Sequence, residues 1–146
     1  MKNSNPLLDD PRFQAEVEID IAFHDVDSME VVWHGNYFRY LEIAREKLLR
    51  QLGYGYREMR EHGHMWPIID TRVKYSGAVC FEQKIRVVAF LLEYENRLKI
   101  GYKLFDVATG KKTTEAWTIQ VAVDAAKKEM LFVSPDILFE RMGLPR

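Results

Sequence analysis

One long segment of the chain has helical periodicity, and several other segments have strand periodicity. A single long helix among several strands limits the folds that the chain can adopt. Within that segment the apolar side chains recur at helical spacing, at Tyr37, Tyr40, Leu41, Ala44, Leu48 and Leu52. Asn36 precedes them as the expected N-cap, and Gly53 follows them as the expected C′ glycine. The spacing predicts one amphipathic helix of about four or five turns.

Alternation of apolar and polar side chains predicts strands on both sides of this helix. The candidate ranges are 17–23, 68–75, 83–93, 98–104 and 117–123, with a shorter strand at 130–133. The unbroken apolar run at 87–92 predicts a strand that is buried on both faces. Short helices are predicted at 56–62 and from Pro135 to Met142, the latter with Ser134 as its N-cap.

The order of these elements predicts an α+β fold in which the long helix packs against a curved, mostly antiparallel sheet. The chain has 146 residues and is 47% hydrophobic, which is enough to build the core of a single domain over residues 1–146. Pro6 and Pro11 predict a loose arm over residues 1–12 at the start of that domain.

Charge and composition exclude several classes of function. The chain has 21 Lys and Arg against 22 Asp and Glu, so it lacks the basic excess of a general nucleic-acid binder, although a small basic patch for phosphates is compatible with this balance. No apolar run approaches the ~20 residues of a membrane span, so we expect no membrane partner. Cys80 and the four histidines lack metal-site spacing, so we expect no metal or other cofactor. The first residues lack the pattern of a secretory signal, and we expect a cytoplasmic protein.

The segment between the first strand and the helix carries the chain's most reactive combination of residues. Asp25 and Asp27 follow the predicted strand, and the segment runs directly into the start of the helix. The first N–H groups of a helix are unpaired and favour negative charge. A carboxylate across a small gap from them combines a base or nucleophile with an oxyanion site. The alternative is that both aspartates are solvated loop acids or turn caps.

The same segment resembles the signature of hotdog-fold acyl-CoA thioesterases of the 4-hydroxybenzoyl-CoA thioesterase and YbgC-like type. Its front is Phe23-His24-Asp25-Val26-Asp27, and its back is Val31-Val32-Trp33-His34-Gly35-Asn36-Tyr37. The likeness continues through the helix opening at 38–45, and the order of elements agrees over residues 13–140. The resemblance implies a hotdog fold, with a long central helix wrapped by a curved antiparallel sheet of about five strands. It also implies a homodimer or homotetramer with its sites at the dimer interface.

The resemblance implies roles for individual residues as well. Asp27 matches the catalytic carboxylate, acting as nucleophile or as general base on water, and the His34 backbone N–H matches the group that polarises the thioester carbonyl. Trp33 and Tyr37 are candidates for substrate contact, with core packing as the alternative for Tyr37. Arg97, in a predicted turn, is a candidate for binding the phosphates of coenzyme A, with a solvated turn cation as the alternative.

Glu30 departs from the family pattern, which commonly has glycine three residues after the catalytic aspartate. Glycine permits unusual backbone angles, so Glu30 predicts either a different loop shape or a second carboxylate that disfavours ionisation of Asp27.

The predicted function is hydrolysis of an acyl-CoA or acyl carrier protein thioester, and the alternative is an acyl- or CoA-binding protein with little turnover. A dehydratase on the same fold is a third alternative, but its His-centred motif is absent. Lys99 and Arg72 are weaker candidates for phosphate contact.

Overall fold

The computed structural model describes residues 6–146. Its three α-helices are α1 (Tyr37–Gln51), α2 (Tyr56–Glu61) and α3 (Asp136–Met142). Its strands are β1 (Gln14–Asp20), β2 (His64–Met65), β3 (Ile68–Tyr75), β4 (Lys84–Glu93), β5 (Leu98–Asp106), β6 (Lys112–Gln120), β7 (Val123–Asp124) and β8 (Glu129–Met130). The helix predicted from spacing alone is therefore α1, and it is the longest helix of the described chain.

Five of the strands form one antiparallel sheet in the order β1-β4-β5-β6-β3. The short strands β2, β7 and β8 form a second sheet. Hairpins join β4, β5 and β6, whereas β1 and β3 occupy opposite edges of the large sheet. A long helix against a five-stranded antiparallel sheet is the predicted hotdog architecture, and the predicted α+β class is confirmed.

The main core lies between α1 and the inner face of this sheet, where α1 contacts β1 and β4. The helix buries one face, made of Tyr37, Tyr40, Leu41, Ala44, Arg45, Leu48 and Leu49. Opposite it, the inward side chains Ile85, Val87, Ala89 and Leu91 of β4 are fully buried. Full burial of one large aliphatic side chain contributes about 1.5–3 kcal/mol, so each fully buried member of this layer stabilises the fold appreciably.

The prediction that β4 is buried on both faces is wrong. Its inward side chains are fully buried, but Val88, Phe90 and Leu92 alternate with them and are only half-buried. These side chains point to the outer face of the sheet, away from α1. The apolar run at 87–92 therefore combines one core face with one partly exposed apolar face.

The prediction that the Asn36 side chain caps the start of α1 is also wrong. Asn36 has helical backbone angles, with φ −73° and ψ −19°, and its side chain makes no capping bond. The helical path starts earlier, in a 3-10 turn at His34–Asn36 that continues into α1. The end of the helix agrees with the prediction, since Gly53 follows it in the left-handed conformation with φ +75°.

The start of the described chain is more ordered than predicted, and the helix near its other end differs from the prediction in its N-cap. The predicted loose arm contains 3-10 turns at Pro6–Asp9 and Pro11–Phe13, and the Phe13 side chain is buried. Residues 1–5 of that arm lie outside the described residues. At the other end Pro135, and not Ser134, is the N-cap residue of α3.

The two edges of the large sheet differ in character. The acidic side chains of β1, Glu16, Glu18 and Asp20, are exposed, and charges at an edge discourage pairing with another strand. In β3 nearly every side chain is exposed, and its charged side chains stand beside the exposed apolar Ile68 and Ile69, which have no counterpart on β1. Within residues 6–146, no helix has the length and apolar character needed to cross a bilayer.

Candidate active site

A tight loop between β1 and α1 carries most of the predicted site. Val26 and Val32 form an antiparallel bridge across the loop, and Val31 bridges to Cys80 just before β4. Within the loop the Asp27 N–H donates to the Val31 carbonyl at 2.9 Å. These bonds hold the loop against the end of the large sheet.

The Asp27 carboxylate is exposed and closes this loop through one of its oxygens. Its Oδ1 accepts the Met29 N–H at 2.8 Å and the Val31 N–H at 3.4 Å. Its Oδ2 has no hydrogen-bond partner among residues 6–146. One oxygen is therefore oriented by the backbone while the other can accept a proton from water.

Glu30 adopts a left-handed backbone conformation with φ +63°. Glycine occupies this region without strain, whereas other residues do so at a cost of about 1–2 kcal/mol. The Glu30 N–H donates to the Asp27 carbonyl at 2.9 Å, so the turn is closed despite the strain. Glu30 is thus accommodated in the conformation that a glycine would adopt, and its side chain is exposed.

Asp25 has a different environment from Asp27, because it is only 2% exposed. Its carboxylate accepts the Ala22 N–H at 3.0 Å and pairs with the Arg39 guanidinium on α1. Burial raises the pKa of Asp25, but the Ala22 bond, the Tyr40 hydroxyl and Arg39 outweigh burial and lower that pKa below its ordinary value. Asp25 is therefore an ionised side chain that fastens the loop to the helix.

The backbone of Asp25 also fixes the start of the helix. Its carbonyl accepts the Trp33 N–H at 3.0 Å and the Asn36 Nδ2 group at 2.8 Å. The nearby Tyr40 hydroxyl is buried without a partner of hydrogen-bonding geometry among the described residues. Burial first, and the Asp25 charge second, raise the pKa of Tyr40 well above its ordinary value, so the phenol stays neutral beside an ionised Asp25.

Two N–H groups at the helix start remain available to a ligand. The Asn36 N–H donates to the Trp33 carbonyl at 2.9 Å, but the N–H groups of His34 and Gly35 have no acceptor within residues 6–146. These groups carry the positive end of the helix dipole. They are suited to bind an oxygen atom that gains negative charge.

An open cleft of about 390 Å³ lies beside this helix start. It is lined by Val31, Val32, His34, Tyr37, Tyr75, Ser76, Gly77 and Ala78. The rings of Tyr37 and Tyr75 meet edge to face with their centroids 4.8 Å apart. Burial raises the pKa of both tyrosines, so they are neutral groups and give the cleft a largely aromatic wall.

The structure brings together only part of the predicted set. His34 and Tyr37 line the cleft, whereas Asp27 and Trp33 lie outside its lining. Trp33 is 53% exposed, and its ring lies so close over Gly35 that a Cβ there would be 2.2 Å from it. The loop of Asp27 nevertheless adjoins the cleft, because Val31 belongs to both.

Arg97 does not join this site within one chain. It lies in the turn after β4, and its Nε and Nη2 atoms bind the Glu93 carboxylate at 3.0 and 3.3 Å. The ten residues of β4 separate that turn from the Asp27 loop, a span of about 30 Å. The Glu93 carboxylate raises the pKa of Arg97 and already satisfies its charge.

Several residues of the site were not predicted from the sequence. Tyr75 at the end of β3 and Ser76 and Gly77 just after it line the cleft, but their sequence signal is only a strand followed by small residues. Arg39, the partner of Asp25, has no distinctive signal in an amphipathic helix. In the part of the chain that the structure describes, no three His, Cys, Asp or Glu side chains are grouped to hold a metal ion.

Comparisons with known proteins bear on the family and the fold of the chain. Residues 21–139 match the family described as the Thioesterase-like superfamily. The Bacillus subtilis (strain 168) protein named "Putative acyl-CoA thioesterase YneP" is 26% identical over 108 residues, which are 73% of this chain and 78% of that protein. A DHNA-CoA thioesterase structure from Staphylococcus aureus has a TM-score of 0.75 at 25% identity and covers 82% of this chain and 80% of its own.

A 1,4-dihydroxy-2-naphthoyl-CoA thioesterase structure from Synechocystis has a TM-score of 0.78 at 13% identity, over 89% of this chain and 96% of its own. At that identity the likeness shows a shared fold. The family match, in contrast, extends from the end of β1 into α3 and contains the whole candidate site. The chain therefore belongs to the thioesterase-like superfamily.

Proposed function

We propose that the protein is an acyl-CoA thioesterase of the 4-hydroxybenzoyl-CoA thioesterase and YbgC-like type, which hydrolyses a thioester to a free acid and coenzyme A. The observation that carries the proposal is the pair of unbonded N–H groups of His34 and Gly35 beside the cleft, next to the loop with the exposed Asp27 carboxylate. The names of the Bacillus relative and the Staphylococcus structure add support, since both describe enzymes acting on CoA thioesters.

In the proposed reaction the thioester carbonyl oxygen accepts hydrogen bonds from the His34 and Gly35 N–H groups. The free Oδ2 of Asp27 takes a proton from a water molecule while the water oxygen bonds to the carbonyl carbon. The resulting oxyanion is stabilised by the helix start. The carbon–sulfur bond then breaks, and Asp27 returns the proton to the leaving thiolate. In the second route an Asp27 oxygen bonds to the carbonyl carbon and the carbon–sulfur bond breaks, which releases the thiolate of coenzyme A and leaves a mixed anhydride. Water then hydrolyses this anhydride, which frees the acid and restores Asp27.

The acyl group would lie in the cleft against Tyr37 and Tyr75, with Trp33 at the rim. A volume of about 390 Å³ and two aromatic walls suit an aromatic or short acyl group. Trp33 is half-exposed, so it can cover a bound substrate without unfolding the core. The side chain of His34 has no role in this scheme, because its backbone N–H is the group that acts.

We also propose that two copies pair through β3 to complete the site. Antiparallel pairing of this exposed edge would place the first residues of one strand beside the last residues of the other. Ile68 and Leu98 both pair with Gln120, so the turn with Arg97 lies at the Ile68 end of the sheet. Pairing would therefore bring Arg97 of one copy toward the cleft of the other. Sedimentation should show a dimer or tetramer, and a monomer at micromolar concentration would contradict the pairing.

The decisive experiment measures thiol release from a panel of acyl-CoA esters that includes aromatic acyl groups. For Asp27→Asn we expect a fall of about 10²- to 10⁴-fold if the carboxylate is a general base. Asp20→Asn is the matched control, because Asp20 is also an exposed aspartate but lies on β1. Near-normal turnover by a folded Asp27→Asn protein would reject the assignment of Asp27.

The alternative function, acyl-CoA binding without efficient turnover, makes a different prediction in the same experiment. Glu30 supports this alternative, because a charged residue occupies a strained backbone position in the loop of Asp27. Calorimetric binding of acyl-CoA with no thiol release across the whole panel would favour the binding protein.

A further inference from the structure

The outer face of the large sheet, which points away from α1, contains a second concave site. A trough of about 400 Å³ lies over the neighbouring strands β4, β5, β6 and β3. The side chains that give it chemical character are Arg72, Lys74, Phe90, Lys103, Glu115 and Trp117. It is separate from the cleft described above, because the two share no lining residue.

Strand register explains why these residues converge. Trp117 on β6 lies between Gly101 on β5 and Arg72 on β3. One row away, Glu115 lies between Lys103 and Lys74 in the same way. The trough is therefore built on regular sheet, which holds its walls at fixed spacing.

Gly101 provides the low point of this surface. A Cβ at this position would lie 2.4 Å from the Phe90 ring, so the ring lies directly against the glycine backbone. The half-buried Trp117 indole stands on the other side of Gly101, with the Lys99 ammonium 5.0 Å from its ring centroid. An aromatic side chain thus flanks the low point on each side.

Three cations at this trough have no carboxylate at ion-pair distance, although Lys74 and Lys103 help Lys112 to lower the pKa of the neighbouring Glu115. Arg72, Lys74 and Lys103 form no ion pair with any carboxylate among residues 6–146. Their neighbours differ, since Lys99 lies 3.9 Å from the Glu93 carboxylate and Lys112 pairs with Glu115. The trough therefore keeps an excess of positive charge next to the half-buried rings of Phe90 and Trp117.

We propose that this trough binds a nucleoside phosphate, with the base against Trp117 and the phosphates against Arg72, Lys74 and Lys103. Arginine binds phosphate oxygens through two parallel bonds, and bases stack on aromatic rings irrespective of their identity. The Glu115 carboxylate can accept a hydrogen bond from a ribose hydroxyl or an exocyclic amine. The volume lies within the range of small-ligand sites, about 300–1,000 Å³.

Two sources could supply this chemistry. One is a free nucleotide, which would bind independently of the cleft. The other is the nucleotide half of coenzyme A, and this second possibility rests on the proposed thioesterase function. Lys74 of the trough and Tyr75 of the cleft are neighbours in β3, so the two sites lie on opposite faces of the sheet at the same end of that strand.

The test uses ADP as the ligand and calorimetry at low salt on the full chain, so it does not depend on turnover. We expect saturable binding that weakens at least tenfold in Arg72→Ala and in Trp117→Leu. Lys111→Ala is the matched control, because Lys111 is also a cation without an ion pair in the described chain but lies in the β5–β6 turn. No ADP binding by the wild type at millimolar concentration, or binding unaffected by both substitutions, would overturn the proposal.

Kinetics with Arg72→Ala then distinguish the two sources. If coenzyme A occupies the trough, KM for acyl-CoA rises at least tenfold with kcat unchanged, while an acyl-pantetheine substrate without the nucleotide is unaffected. If a free nucleotide occupies it, ADP binding is lost while KM for acyl-CoA stays the same. Either result supports the trough as a nucleotide site, and an absence of thioesterase activity would leave the ADP result standing.

Discussion

Replacing Glu30 with glycine should stabilise the protein. Glu30 has φ +63°, a conformation that costs a residue with a Cβ about 1–2 kcal/mol. Its side chain is exposed and forms no hydrogen bond or ion pair within residues 6–146, so little else is lost with it. The backbone bond from the Glu30 N–H to the Asp27 carbonyl remains in the variant.

The expected gain is smaller than the strain itself. Glycine gives the unfolded chain more freedom, which offsets about 0.4–1 kcal/mol. The free energy of unfolding should therefore rise by about 0.5–1 kcal/mol. For a chain of this size the corresponding rise in Tm is about 2–3 °C.

Urea titration and calorimetry of three variants test this reasoning. Lys128→Gly is the matched control, because Lys128 also has a left-handed backbone, with φ +56°, but lies in the β7–β8 turn. It should give a similar gain. Glu30→Ala removes the carboxylate but keeps the strained backbone, so it should give no gain.

The result that would refute the strain argument is a loss of stability in Glu30→Gly together with a gain in Lys128→Gly.

Substitutions of Glu30 also test its effect on catalysis. If Glu30 is merely tolerated, Glu30→Gly should keep thiol release within a few-fold of the wild type, and if its charge crowds Asp27, the acidic limb of the rate profile should move to lower pH. Loss of turnover in Glu30→Gln but not in Asp27→Asn would overturn the proposed site.

Three further perturbations have outcomes set by the structure. Asp25→Asn should lower the free energy of unfolding by about 1–3 kcal/mol at pH 7, because it weakens the buried bonds to Ala22 and Arg39. The lowered pKa of Asp25 means that this stabilisation is present above the unfolded-state pKa of about 3.9 and is lost as the pH falls through the lower folded-state value, so urea titrations of the two proteins should converge in acid. Gly35→Val should displace the Trp33 ring and shift tryptophan emission, and unchanged emission would contradict the close contact. Leu48→Ala should cost about 2–5 kcal/mol by leaving a cavity under α1, and a smaller loss in urea titration would show that the layer relaxes.

The regular elements follow from local pattern. The spacing from Tyr37 to Leu52 predicted α1, the apolar run predicted β4 and alternation predicted β5 close to their actual bounds, whereas β1 and β6 begin earlier than predicted. Helical and strand periods reflect the backbone geometry of one segment, so no knowledge of distant contacts is needed. The position of the segment between the first strand and α1 was also predicted from residues close together in sequence.

Tertiary structure alone decided which aspartate is buried and where the clefts lie. Asp25 and Asp27 are two residues apart and chemically identical, but only Asp25 meets a guanidinium, from Arg39 on the next helix. The residues from Tyr75 to Ala78 reach the helix start only because β3 pairs with β6 across the sheet. Burial and charge pairing depend on contacts between segments that are far apart in sequence. A local sequence pattern does not specify which of those segments come into contact.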